Sequence, residues 1–103
     1  MPRVPATVPV DDYVLDVLLR DIVGHDRKPA AYLVYLYLYG RAARRRWQAV
    51  AAGLGAIAEE TGLSRSAVQT AMATLRSRKL ILTERAHATA TPRHRIQRPW
   101  RRN

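Results

Sequence analysis

Residues 54–80 read L-G-A-I-A-E-E-T-G-L-S-R-S-A-V-Q-T-A-M-A-T-L-R-S-R-K-L, and this spacing describes two short helices joined by a tight turn. Leu54, Ile57 and Ala58 fall on one face of the first helix, because residues three and four apart share a helical stripe. Gly62 follows where a helix must stop and the chain must bend, and glycine enters φ > 0 without a Cβ clash. Ser64 then occupies an N-cap position, and Val68, Ala71, Met72 and Leu75 recur behind it at i, i+3, i+4 and i+7. Small side chains at Ala58 and Ala71 let the two helices approach closely. The expectation is a helix over 54–61, a turn at Gly62, and a second helix over 64–79. That arrangement is a helix-turn-helix, a unit that sets its second helix in the DNA major groove.

The pattern resembles the winged helix-turn-helix transcriptional regulators of bacteria and archaea, of the broad MarR-like and GntR-like kind. The resemblance rests on Ile57, Ala58, Gly62, Leu63, Ser64, Val68, Ala71 and Leu75, followed by Leu80-Ile81 where such families begin the wing. It spans roughly residues 30–98 and speaks to fold more than to the sequence bound. One position departs from it. Many members carry Gly just before that Leu-Ile pair, whereas this chain has Lys79. The resemblance implies a mainly α fold with a small β-hairpin wing, a winged helix-turn-helix.

Toward the N-terminus, Pro2, Pro5 and Pro9 make residues 1–10 an extended arm, since proline fixes φ and removes a donor. Asp11 or Asp12 can cap a helix over 11–23 that ends at Gly24, with Val14, Leu15, Leu18, Leu19 and Ile22 as a wide apolar stripe. Asp16 and Arg20 stand i, i+4 on its polar side. A stripe this wide suggests burial on more than one side, so this helix is the candidate dimer surface. His25-Asp26-Arg27-Lys28-Pro29 reads as a polar connector, with Pro29 suited to a first helical turn.

Residues 30–45 are ambiguous by period. The run Y-L-V-Y-L-Y-L-Y over 32–39 is apolar at every position, so alternation carries no information. Flanking alanines and length favour a helix, against which Gly40 costs about 1 kcal/mol. Tyr32, Tyr35, Leu36 and Tyr39 would form one face, with Leu33 and Tyr37 on another. Packing, with hydroxyls reaching the surface, is the expected use of the tyrosines. Arg44-Arg45-Arg46 closes the helix, where cations complement its C-terminus.

Gln48-Ala49-Val50 can form a short strand before the helix-turn-helix. Residues 80–98 read as the wing: a strand at Leu80-Ile81-Leu82-Thr83, a Thr- and Ala-rich tip, and a returning strand at Arg93-His94-Arg95-Ile96-Gln97. Residues 99–103 make a basic tail. With 103 residues, the chain is long enough for one core, and residues 11–98 are expected to form a single domain.

The net charge is +10, and it is unevenly placed. Residues 1–40 carry −1, residues 41–60 carry +2, and residues 61–103 carry +9, with Glu84 the one acidic group in that last segment. The charge thus collects on the second helix and the wing, where a phosphate backbone would lie. Sixteen of the 18 cations are Arg. Arginine suits bidentate contacts to guanine and phosphate, and a GC-rich genome gives the same bias through its codons.

The expected contacts follow from the groove code. Ser64 and Ser66 would reach phosphate, with Ser64 also the N-cap. Arg65 would pair with guanine O6/N7 or remain a solvated surface cation. Gln69 would pair with adenine N6/N7, and Thr70 lies on the same face. Small Ala67 and Ala73 would let the helix sit deeply. Arg76 ends the helix, and Arg85, Arg93 and Arg95 would follow the backbone from the wing. His87 or His94 against phosphate would add affinity below about pH 6.5.

Enzyme chemistry finds no footing in the sequence. There is no Cys, His25, His87 and His94 lack zinc spacing, and no phosphate-binding or nucleophile-elbow glycine motif occurs. No catalytic group, metal or other cofactor is expected. No apolar run approaches the roughly 20 residues of a membrane span, and no secretory leader is evident, so a cytoplasmic protein is expected. The expected partners are double-stranded DNA and a second copy of the chain. A small-molecule effector has no domain of its own in this length. The rival readings are a plasmid or phage replication-initiation or architectural protein, and a winged-helix module for protein or RNA.

Overall fold

The computed structural model describes residues 6–101. Half of the expected Pro-rich arm, residues 1–5, and residues 102 and 103 of the tail lie outside the described residues. Along the chain come an N-terminal π-helix (Val14–His25), α1 (Pro29–Ala43), β1 (Val50–Ala51), α2 (Leu54–Thr61), α3 (Arg65–Ser77), β2 (Ile81–Glu84) and β3 (Arg93–Ile96). The fold is mainly helical, with a small antiparallel sheet of strand order β1-β3-β2.

The ambiguous run becomes α1, and its packing explains the ambiguity. This helix touches the π-helix, α2, α3 and the sheet, and it buries Ala31, Tyr32, Val34, Tyr35, Leu38, Tyr39 and Ala42. A helix buried around most of its circumference shows no polar stripe. Leu33 is the exception, half-exposed on the outer side. Pro29 takes the first turn, as expected.

Three of the five tyrosines use their hydroxyls inside the fold. Tyr32 Oη donates to the Val14 carbonyl at 2.8 Å, Tyr35 Oη donates to the Gln97 carbonyl at 2.8 Å, and Tyr39 Oη accepts the Asp11 N–H at 3.2 Å. Each hydroxyl thus ties α1 to backbone far away in sequence, which satisfies the polar atom that burial would otherwise penalise. Burial raises the Tyr32 and Tyr35 phenols above their ordinary pKa, so both remain donors.

α1 stops at Ala43, two residues before the expected end. Arg46 and Trp47 then adopt φ of 56° and 65°, left-handed values that disfavour bulky side chains. The Trp47 ring holds the turn in place. It meets the Tyr39 ring edge-on at 4.8 Å, and the Arg98 guanidinium lies 3.5 Å from its centroid.

The N-terminal helix differs from expectation in winding and in capping. It runs on through Gly24, with i→i−5 bonding as in Asp26 N–H to the Asp21 carbonyl at 2.8 Å. Asp11 directly precedes the first helical residue, Asp12, and its carbonyl accepts the Val14 N–H at 3.0 Å, but its carboxylate does not cap the helix. The Asp11 carboxylate instead accepts Trp100 Nε1 at 2.9 Å and the Arg101 guanidinium at 2.7 Å through both of its oxygens. Val14, Leu18 and Ile22 are buried, while Leu15 and Leu19 stay 49% and 43% exposed.

The central pair of helices falls where its sequence puts it. α2 ends at Thr61, Gly62 takes φ 80°, and the Gly62 N–H bonds to the Ala58 carbonyl at 2.9 Å. The Ser64 hydroxyl accepts the Ala67 N–H at 3.1 Å, and Val68, Ala71, Met72 and Leu75 are all buried. At the far end Lys79 takes φ 59°. Its N–H reaches the Arg76 carbonyl, and the Leu80 N–H reaches the Leu75 carbonyl at 2.9 Å, the paired bonds of a Schellman terminus.

β2 and β3 form a hairpin with Ile81 opposite Ile96, Leu82 opposite Arg95, Thr83 opposite His94 and Glu84 opposite Arg93. β1 joins the other edge of β3, Val50 against His94 and Ala51 against Arg93. It begins two residues later than the sequence suggested. Among the described residues no helix is long and apolar enough to cross a membrane.

Candidate nucleic-acid interface

At 100° per residue the apolar positions of α3 span one side of the helix, so Ser66, Gln69, Thr70, Ala73 and Ser77 cover the opposite side. Ser64, Arg65, Ser66, Gln69, Thr70 and Arg76 are all exposed, as are Arg85, Arg93 and Arg95 beyond the helix. Each sequence-chosen contact residue is therefore accessible to a ligand.

Their local settings differ. Ser64 is occupied as the N-cap, and its hydroxyl also lies 3.3 Å from that of Ser66. Arg65 folds back over α2: a Cβ built on Gly55 would stand 3.5 Å from its guanidinium nitrogen. Arg76 stays exposed in the last turn of α3. Ala67 is only partly exposed and lines a cleft at the start of α1, so Ala73 is the small residue at the centre of the exposed face.

Strand alternation sorts the β2–β3 hairpin. Arg93 and Arg95 point outward, and His94 and Ile96 point into the core. This overturns the reading of His94 as a phosphate contact. Its ring is 3% exposed, with Nδ1 3.0 Å from Thr83 Oγ1 and Nε2 2.8 Å from the Ala52 carbonyl. That pattern fits a neutral imidazole donating from Nε2 and accepting at Nδ1. Burial pulls its pKa below the ordinary value, and Arg76 and Arg85 pull the same way, opposed by the bond to Ala52. Arg85 braces the tip, donating to the Ala88 and Ala90 carbonyls at 3.3 and 3.2 Å. His87 stays exposed beside Thr89.

Three of the ten cations after residue 60 serve the fold instead of the surface field. Arg98 stacks on Trp47, and Arg101 pairs with Asp11. Arg78 grips both carboxylate oxygens of Asp26. Both aspartates are held well below the usual carboxylate range, chiefly by these arginine hydrogen bonds. The carboxylate that Arg78 holds lies 52 residues away in sequence, a separation that no local pattern reveals. Arg65, Arg76, Arg93 and Arg95 make no ion pair among the described residues.

Among the described residues no three His, Cys, Asp or Glu side chains gather as a metal site. No protein-family profile, curated protein or solved structure matches the chain.

Proposed function

We propose that this chain is a winged helix-turn-helix protein that binds double-stranded DNA, with α3 in the major groove and the β2–β3 hairpin along the backbone, and that it regulates transcription as a homodimer. One observation carries the reading. A well-capped helix, locked to its predecessor by a left-handed Gly62, presents an unobstructed polar face, and the unpaired arginines of α3 and β3 surround it. Major-groove readers need such a face, with hydroxyl, amide and guanidinium groups that can meet base edges and phosphates. The order of helix, strand, helix-turn-helix and hairpin, with β1 against β3, supports the winged assignment. The exposed Leu15 and Leu19 support pairing through the N-terminal helix.

Selection of bound sequences from a random duplex pool at about 150 mM salt, where weak backbone binding is screened, tests this reading. An inverted repeat with half-sites about one helical turn apart is the expected result. Retention of duplex without any enriched motif would replace regulation by an architectural role. Failure to retain duplex at all would remove DNA as the partner.

A further inference from the structure

The connector between the π-helix and α1, which reads in sequence as a spacer, lies along one flank of α3. Arg27, Lys28 and Pro29 share a cleft of about 330 Å³ with Ser66, Ala67 and Thr70. His25, Asp26 and Lys28 border a second, open cleft with Ala73, Thr74 and Ser77. The opposite flank of α3 belongs to other neighbours: Arg65 rests on Gly55 of α2, and α3 also packs on β2. The exposed face of α3 therefore sits between two walls, one made by the connector and one by α2 and the sheet.

Both walls carry positive charge. On the connector side Arg27 and Lys28 are exposed and make no ion pair among the described residues. Asp26, which would offset one of them, is consumed by Arg78. That pair also pins the connector to the end of α3, so the two cations are held beside the helix. Arg27 adopts φ 56°, a left-handed turn that ends one helix and redirects the chain into the next.

We infer that Arg27 and Lys28 form a second phosphate clamp: with α3 in the major groove they meet the sugar-phosphate strand on the wall opposite the one the wing follows. This rests on the DNA-binding reading above. The major groove is about 12 Å wide, so a helix filling it has one backbone strand on each side. The wing cations reach one strand. The connector adds Arg27 and Lys28, two cations seated beside the exposed face of α3 that make no ion pair among the described residues. Contacts of this kind fix orientation and are blind to base sequence.

The test is the salt dependence of binding to a mixed-sequence DNA duplex of about 24 base pairs, comparing the full chain with Arg27→Gln/Lys28→Gln. Loss of two phosphate contacts should lower the slope of log K against log salt by about 2 and weaken binding roughly tenfold, equally on every duplex. The control removes the same charge elsewhere. Arg44→Gln/Arg45→Gln lies at the far end of α1, about 20 Å from the connector at 1.5 Å per residue, and should leave the slope unchanged. A wild-type slope in the connector variant overturns the clamp while leaving DNA binding intact. An equal fall in both double variants overturns it too, since net charge alone would then explain the effect. Absence of duplex binding by the unmodified chain removes the parent reading and the clamp together. Circular dichroism of each variant keeps loss of fold apart from loss of contact.

Discussion

Single side chains on this surface divide by what they can sense. Arg65 stands at the start of α3; on the proposed docking it swings from Gly55 to a base edge, and Arg65→Ala should then cost roughly 1–3 kcal/mol and relax preference at one base position. Arg93 lies on the outer face of β3; on the same docking it would meet only backbone, and Arg93→Ala should weaken all duplexes about equally. Comparing selected motifs with affinities for both variants checks the division; a change confined to one base in Arg93→Ala would overturn the wing assignment. His94 senses pH instead of DNA. Its folded pKa lies below the ordinary 6.5, so as pH falls through 6.5 the unfolded chain binds a proton that the folded chain refuses. Stability is then complete above that pH and declines below it, until the folded pKa is reached, by at most about 1.4 kcal/mol per pH unit. Urea midpoints for the wild type at about pH 7 and pH 5.5 should fall, and His94→Gln should flatten part of that fall. Equal midpoints in the wild type would mean the imidazole is not desolvated.

Elements were legible where local chemistry decides them. Gly62, Ser64 and the spacing of Val68, Ala71, Met72 and Leu75 place α2, its turn and α3 within a residue or two, because caps and stripes are short-range signals. The π winding of Val14–His25 was not legible. Apolar residues at every fourth position return close to one stripe under i→i−4 or i→i−5 bonding, so Val14, Leu18 and Ile22 fit both. The Asp11 cap failed because a tertiary partner outbid a local one: Trp100 and Arg101 supply three donors to that carboxylate. Lys79 was legible as an anomaly, standing where related patterns place Gly, and its φ of 59° shows why a glycine suits that site. An L-residue there carries left-handed strain of about 1–2 kcal/mol, partly offset by the lower unfolded-state entropy of a non-glycine. Lys79→Gly should therefore raise unfolding free energy by about 0.5–1 kcal/mol in urea titration. A fall instead would mean that the ammonium contributes more to the helix C-terminus than the turn costs.

The whole molecule closes on itself at Asp11. Its N–H reaches Tyr39 of α1 and its carboxylate holds Trp100 and Arg101, while Trp100 stacks on Tyr13 at 4.8 Å. The tail read from sequence only as basic thus docks, through residue 101, against the start of the N-terminal helix. This contact fixes that helix on α1 and leaves one side of it unpartnered. Leu15 and Leu19 on that side are about half exposed, and Asp16 and Arg20 border the same shallow cleft. Two copies of the helix packed antiparallel about a two-fold axis would bring Asp16 against Arg20 of the partner subunit in both directions and cover the leucines. The stripe was visible in the sequence, but only the structure separates Val14, Leu18 and Ile22, which serve the chain's own core, from Leu15 and Leu19, which stay about half exposed. Leu15→Glu/Leu19→Glu should therefore convert a sedimenting dimer into a folded monomer with an unchanged circular dichroism spectrum. Its affinity for an inverted repeat should drop toward that for a single half-site, because linkage of the two binding events is lost. A wild-type chain that sediments at 11.7 kDa at micromolar concentration would instead leave the helix without this role, and symmetry in the DNA target would then have to come from two independent monomers.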